Sequence, residues 1–174
     1  EQLNLSDEEI RELGYKSGGI WFEDTTTLIM GTFPPRTEYE GRTGYVHYSS
    51  NRNKFWTHID AICGTTLKQN YYPATDHLRI ENAKQKIQFL RKYKLGFVDI
   101  FSMIQRLADD ASDDNLVEIE SIFNTETFEA ILNSQVHNIV FVYKMAMDLF
   151  ENELNIIGMD RKEIIRPHRT DDLP

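Results

Sequence analysis

Three short apolar runs, set between stretches of helical periodicity, constrain this chain more than anything else in it: Thr25 to Met30, Phe97 to Phe101 and Val136 to Val142. Each has strand length, and each is mostly β-branched or apolar instead of alternating strictly with polar residues, the pattern of a strand covered on both faces. Between them lie amphipathic stretches with apolar residues three and four apart. One runs from Arg52 to Ile62 on Phe55, Trp56, Ile59 and Ile62, and a second from Asp76 to Lys92 on Ile80, Ala83, Ile87 and Leu90. The alternation predicts an α/β fold, a three-layer αβα sandwich with a central, mostly parallel four-stranded sheet whose last strand is Glu163-Ile164-Ile165. A chain of 174 residues, 40% of them hydrophobic, suits a single domain over 1–174.

The remaining boundaries follow from local signals. Ser6-Asp7-Glu8-Glu9 has the form of a capping box and predicts a short helix to about Leu13, with Gly14, Gly18 and Gly19 closing it. Asp76 is the expected N-cap of the second amphipathic helix, Gly64 ends the first, and Thr125 opens a helix through Leu132. Met145 to Ile156 is a further amphipathic helix.

Charge is unevenly spread. The net value of −9 speaks against a protein that coats nucleic acid or membrane by bulk attraction. Yet Arg36 to Lys94 holds eleven basic against five acidic side chains, a net +6 that leaves −15 elsewhere, much of it between Asp109 and Glu129. The basic segment is expected to face phosphates and the acidic one to turn away. One cysteine, Cys63, admits no internal disulfide, and no paired Cys/His spacing suggests zinc. With no signal-peptide pattern and no long apolar run, a cytoplasmic protein in a reducing compartment, off the membrane, is expected.

In open parallel sheets, ligands bind beyond the carboxyl ends of the strands. Gly31 to Pro35, Asp99 to Ser102, Tyr143-Lys144 and Arg166 to Thr170 are therefore expected around one site. The first of these enters a segment rich in aromatic and amide side chains, from Tyr45-Val46-His47-Tyr48 through Asn51-Arg52-Asn53-Lys54-Phe55-Trp56. A strand-end loop with exposed amides and a ring such as Phe33 suits a flat heteroaromatic group; alternatively Phe33 is core and Pro34-Pro35 only shapes the turn.

Leu28-Ile29-Met30-Gly31-Thr32-Phe33-Pro34, with the later Arg52-Asn53-Lys54-Phe55-Trp56, resembles the first motif of the uracil-DNA glycosylase superfamily, nearest its hypoxanthine-DNA glycosylase branch. Gly96-Phe97-Val98-Asp99-Ile100 resembles that branch's Gly-x-x-Asp-Val stretch, and the similarity spans roughly Thr27 to Phe150. The resemblance implies cleavage of an N-glycosidic bond in a deaminated base, uracil or hypoxanthine, that is flipped out of DNA. Such a site must stabilise the departing base and place a water, which amides do without a cofactor or metal. It implies Asn53 as a catalytic residue, holding the water or the base; Asp99, a lone carboxylate in an apolar strand, is read beside it as a catalytic candidate that orients pocket groups or acts as base. Gly31, Thr32, Phe33, Pro34, Tyr45, His47 and Asn51 would bind the base, and Arg52, Lys54, His168 and Arg169 the DNA. A monomer is expected.

The departures from the family pattern are specific. Pro35 stands where the family has glycine, removing an amide donor and restricting Pro34. Tyr48-Ser49-Ser50-Asn51 replaces the expected Tyr-x-His-Pro, so either His47 or Asn51 takes a family role, and only Arg166-Pro167-His168-Arg169-Thr170 stands where a duplex-wedging loop would be. Each candidate also has a plainer reading: Asn53 as a helix cap, Asp99 as the cap of a neighbouring loop, Phe55 and Trp56 as packing, and His168 as a phosphate or solvent contact. Two other functions are compatible: a relative that binds a nucleobase or nucleotide without acting on DNA, and a nucleoside or nucleotide hydrolase.

Overall fold

Strand β1 (Thr27–Gly31) lies at the centre of a parallel sheet, between β2 (Leu95–Asp99) and β5 (Asn138–Phe141). The computed structural model describes residues 5–12, 19–32, 45–49, 53–68, 75–105 and 122–156. Thr27 to Gly31 pair residue by residue with Leu95 to Asp99, and Thr27 to Met30 with Asn138 to Phe141. The carboxyl ends of β1 and β2 therefore stop side by side, at Gly31 and Asp99.

Alternation along the strands divides the core in two. Ile29 and Phe97 point to one face, where they pack with Trp56, Ile87 and Leu90; Leu28, Met30 and Val98 point to the other, with Phe128 and Leu149. The first face is covered by α1 (Asp7–Glu12), α2 (Phe55–Cys63) and α3 (Asp76–Lys92), the second by α4 (Thr125–Leu132) and α5 (Lys144–Ile156). Helices on both faces of a mostly parallel sheet give the expected three-layer α/β architecture.

Several boundaries match the local chemistry. Ser6 and Glu9 form the reciprocal capping box: the Glu9 amide donates to Ser6 Oγ, and the Ser6 amide and hydroxyl donate to Glu9 Oε2. Gly64 closes α2 in the left-handed conformation, φ 65°. The N-cap of α3 is Thr75, not Asp76, because the Thr75 hydroxyl accepts from the Leu78 amide and Asp76 begins the first turn. Gly19, at φ +86°, lies so close to β2 that a Cβ there would come 2.0 Å from the Phe97 carbonyl oxygen, next to the antiparallel bridge between Ile20 and Phe97.

Other expectations change. The run Phe97 to Phe101 is not one strand: β2 ends at Asp99, and Phe101 begins a separate antiparallel ribbon of β3 (Phe101–Met103) with β4 (Ile122–Phe123). The Ile100 amide still donates to the Gly31 carbonyl and the Phe101 amide to that of Thr32, so the chain stays beside β1 for two residues past the end of β2. The apolar run at Val136 to Val142 forms an outer strand with Asn138 and Val140 exposed, so its composition overstated its burial. Among the described residues the parallel sheet has three strands; the expected fourth, Glu163 to Ile165, lies outside them.

Candidate functional site

The only residue at the end of β1 that lets other groups approach closely is a glycine. A Cβ at Gly31 would stand 2.7 Å from the Tyr48 hydroxyl and 3.4 Å from Asp99 Oδ1, so a side chain there would compete with both. Asp99, its neighbour across the ladder, closes β2 with its carboxyl group 13% exposed. The Asp99 carbonyl accepts from Asn124 Nδ2 at 3.2 Å, and the Asn124 amide holds the next carbonyl, that of Ile100, at 2.8 Å. These bonds orient the strand end from below.

From above, the segment at residues 45–49 brings His47 onto that carboxylate. His47 Nε2 lies 2.7 Å from Asp99 Oδ2, in a buried contact. An ionised carboxylate only accepts, so the imidazole Nε2–H is the donor. The ring is stacked on Phe97 at 5.4 Å between centroids, and Tyr48 and Phe55 stand edge-on to the same phenyl group at 5.3 and 5.5 Å. Tyr48 itself has φ 61°, a left-handed conformation that costs a non-glycine residue about 1–2 kcal/mol. The indole of Trp56 fixes the backbone beneath it by donating to the His47 carbonyl at 2.8 Å. A carboxylate behind an imidazole sets the ring's orientation and stabilises its positive form.

Asn53 stands just ahead of α2, where its Oδ1 accepts from the Phe55 amide at 2.8 Å. One lone pair of its side-chain oxygen thus serves the first amide of the helix, while the other and the Nδ2 donors stay open for chemistry. Lys54 follows at the N-cap position and is exposed. Thr32 is buried, with its carbonyl accepting from Phe101. Phe33, Pro34, Pro35, Asn51, Arg52, His168 and Arg169 lie outside the described residues.

Tyr45 turns to a different carboxylate. Its hydroxyl donates to Asp76 Oδ1 at 2.5 Å, at the start of α3, where Arg11 also reaches the same carboxyl group at 2.8 Å. Burial, followed by the bond to Asp76, pushes the Tyr45 phenol above its ordinary pKa. The hydrogen bonds from Tyr45 and Arg11 hold Asp76 below the usual carboxylate range.

Among the described residues the basic segment does not form one footprint; Arg36, Arg42 and Arg52 lie outside them. Lys84 pairs with Asp7 and Glu81, Arg79 with Asp76, and Lys86 is buried. Lys92 and Lys94 are exposed, but they precede Leu95, which lies about 13 Å along β2 from Asp99 at the usual strand rise. The expected stripe is thus split, because a helix crossing the sheet carries its charges to both ends. Among the described residues Lys54 is the exposed lysine next to the His47 and Asn53 cluster.

Three contributors escaped the sequence reading: the Phe97 ring behind His47, the Trp56 indole bond to the His47 carbonyl, and Lys86. For Lys86 there was a signal, since it falls three residues after Ala83 and four before Leu90, on the apolar stripe of α3. Among the described residues no group of three or more His, Cys, Asp or Glu could hold a metal, and no helix is long and apolar enough to cross a membrane.

The fold is similar to that of a protein from Methanosarcina acetivorans, solved in solution by NMR and described as a "putative uracil DNA glycosylase": TM-score 0.54, 21% identity, 80% of this chain and 75% of that chain covered. That likeness is one of fold. No family model and no curated protein matches this chain.

Proposed function

We propose that this chain is a monofunctional DNA glycosylase of the uracil-DNA glycosylase superfamily. It hydrolyses the N-glycosidic bond of a deaminated base, uracil or hypoxanthine, flipped out of DNA into the strand-end site. The observation that carries the reading is the His47–Asp99 pair beside Gly31, at the carboxyl edge where an open α/β sheet of this kind places its ligand. The fold likeness supports it, as does the first-motif resemblance around Gly31 and Asn53.

In this reading a water attacks the anomeric carbon as the bond to the base breaks, the base leaves with the bonding electrons, and the proton that the water loses is balanced by the one that the departing base takes up, exchanged through solvent. His47, its Nε2–H held by Asp99, supplies positive potential toward that leaving base. Asn53, its orientation fixed by the bond from the Phe55 amide, holds the water or the base, its Nδ2 donor matching a base carbonyl. Phe33 and Pro34 are assigned to the base pocket with Gly31 and Thr32, Asn51 to the pocket wall, and Arg52, Lys54, His168 and Arg169 to DNA. Tyr45 moves from the pocket wall to a positioning role for the segment bearing His47, given its bond to Asp76.

The deciding experiment incubates the protein with duplex and single-stranded DNA bearing uracil, hypoxanthine, xanthine or a G·T mismatch, followed by alkali. Strand scission at one lesion is the expected result. Absence of scission at all of them, beside a working control enzyme, overturns the activity.

A second reading, binding of a nucleobase or nucleotide without action on DNA, is favoured by the cations spent inside the molecule, Arg79 and Lys84 on carboxylates and Lys86 in the core. The readings differ in salt dependence. Affinity for a lesion duplex should fall steeply with salt in the first, whereas a small ligand should bind almost independently of salt in the second.

A further inference from the structure

Lys86 is 0% exposed, in the middle of α3, with its side chain on the face turned to the sheet. Lysine is almost never buried so completely, and an unbranched apolar residue would fill the same volume without the cost of removing an ammonium from water. Packing alone therefore gives no reason for the charge. Its contacts do.

Nζ donates to Ser49 Oγ at 2.8 Å, and Ser49 is itself 1% exposed. The same ammonium lies 5.0 Å from the centre of the Trp56 ring. Trp56 is buried and donates through Nε1 to the carbonyl of His47. Lys86 thus touches the residue that follows Tyr48 and the indole that holds the residue preceding it. Between these two anchors Tyr48 keeps its left-handed φ of 61°, a conformation that persists only where the flanking structure enforces it. A carboxylate on α2 balances the charge: burial, the largest influence on Asp60, raises its pKa. Hydrogen bonds from Thr65 and the Lys68 and Leu67 amides, with the charge of Lys86, outweigh it and leave Asp60 below the usual range.

We propose that Lys86 is a positioning residue whose buried ammonium, through Ser49 and Trp56, locks the segment 45–49 so that the imidazole of His47 meets Asp99. The inference rests on the glycosylase reading for what the pair does, and on geometry alone for how the pair is held. It predicts that the bond between His47 and Asp99 depends on a lysine on a different element, α3, acting through Ser49 and Trp56.

The test reads the pair directly, without a lesion substrate. Proton–nitrogen NMR of the full chain follows the His47 Nε2–H and its exchange with solvent, beside the amides of the β1–β2 ladder, in the wild type, Lys86→Met and Ser49→Ala. The expected result is a protected His47 ring proton in the wild type. In both variants it should exchange roughly tenfold faster or more, while the ladder amides keep their wild-type rates. Wild-type exchange of the ring proton in the variants overturns the proposal. So does equal acceleration of ring and ladder protons, which means that Lys86 only packs the core. If Lys86→Met fails to fold, Ser49→Ala, which removes only a hydroxyl, decides the matter by the same two readings. Loss of the protected proton in variants of a protein that cleaves no lesion supports the clamp and overturns the glycosylase reading, so the two failures are distinguishable.

Discussion

Tyr45 and His47 are two residues apart in sequence, and each gives a hydrogen bond to a carboxylate, yet the two bonds belong to different regions of the molecule. Tyr45 reaches Asp76 at the start of α3, among Arg11 and Arg79, where the Asp76 side chain is 42% exposed. His47 reaches Asp99 at the end of β2, against Phe97 and beside Gly31, where both side chains are nearly closed off from water. The first is a tie between elements: it fastens α1 and the 45–49 segment to α3. The second stands at the strand ends where chemistry is expected, and in a low-dielectric setting where a pair of ionisable groups exerts its strongest influence. Similar local chemistry therefore does not identify a site; position on the sheet and burial do.

The sharpest way to break this comparison is catalytic. His47→Ala and Asp99→Asn should each lower lesion cleavage by about 10²-fold or more, the scale for removing a preorganised electrostatic group, while Tyr45→Phe should stay within about twofold of wild type. Alkaline gel assays on the substrate that the lesion panel identifies measure all three, and an equal loss in Tyr45→Phe erases the distinction.

Next in size is Gly31→Ala. Its Cβ meets the Tyr48 hydroxyl at 2.7 Å, at the end of a rigid ring already in a demanding backbone conformation. Urea denaturation should register a loss of about 1–3 kcal/mol, the usual range for overpacking.

The Tyr45 tie should show itself through alkali. Its pKa is raised in the folded protein, so folding favours the neutral phenol. The associated stability is fully present below the unfolded value of about 10 and is lost as pH rises through the higher folded value. Tyr45→Phe should cost about 1 kcal/mol at neutral pH and flatten the alkaline limb in thermal scans between neutrality and strong alkali.

In acid the sign reverses. Asp60 and Asp76 are lowered, so their contribution is present above about pH 4 and disappears as pH falls through their folded values. Asp60→Asn should make the melting temperature less sensitive to acid. Smallest is Arg11→Ala, which breaks an exposed pair; its effect on melting should be slight and should vanish with added salt.

How far the sequence alone reached is best judged element by element. Thr125 to Leu132 was legible as a helix to the residue and the helix ending at Lys92 to within one residue at its start, since amphipathic spacing is local information. So was the Ser6–Glu9 capping box, which involves residues three apart. Legibility failed where an outcome depended on distant partners. The run to Phe101 broke because Phe101 pairs with Phe123, some twenty positions later, in a separate antiparallel ribbon. Val140 is exposed because its strand lies at the outside of the described sheet, which composition cannot reveal. The positive count from Arg36 to Lys94 said nothing of which cations would be spent on Asp7, Asp76 or the core.

By itself, then, the order of residues determined the alternation of strand and helix, the ending of β1 at Gly31, and hence the edge where a site would lie. Period and capping act over a few residues, so they can be read along the chain. Only the tertiary structure decided that His47 and not Tyr45 meets Asp99, that Asn53 turns its oxygen to a helix amide, and that a lysine from α3 stands behind the indole holding His47. Those choices depend on which surfaces are buried against one another, because burial sets which polar groups must find a partner inside the protein and which are left to water.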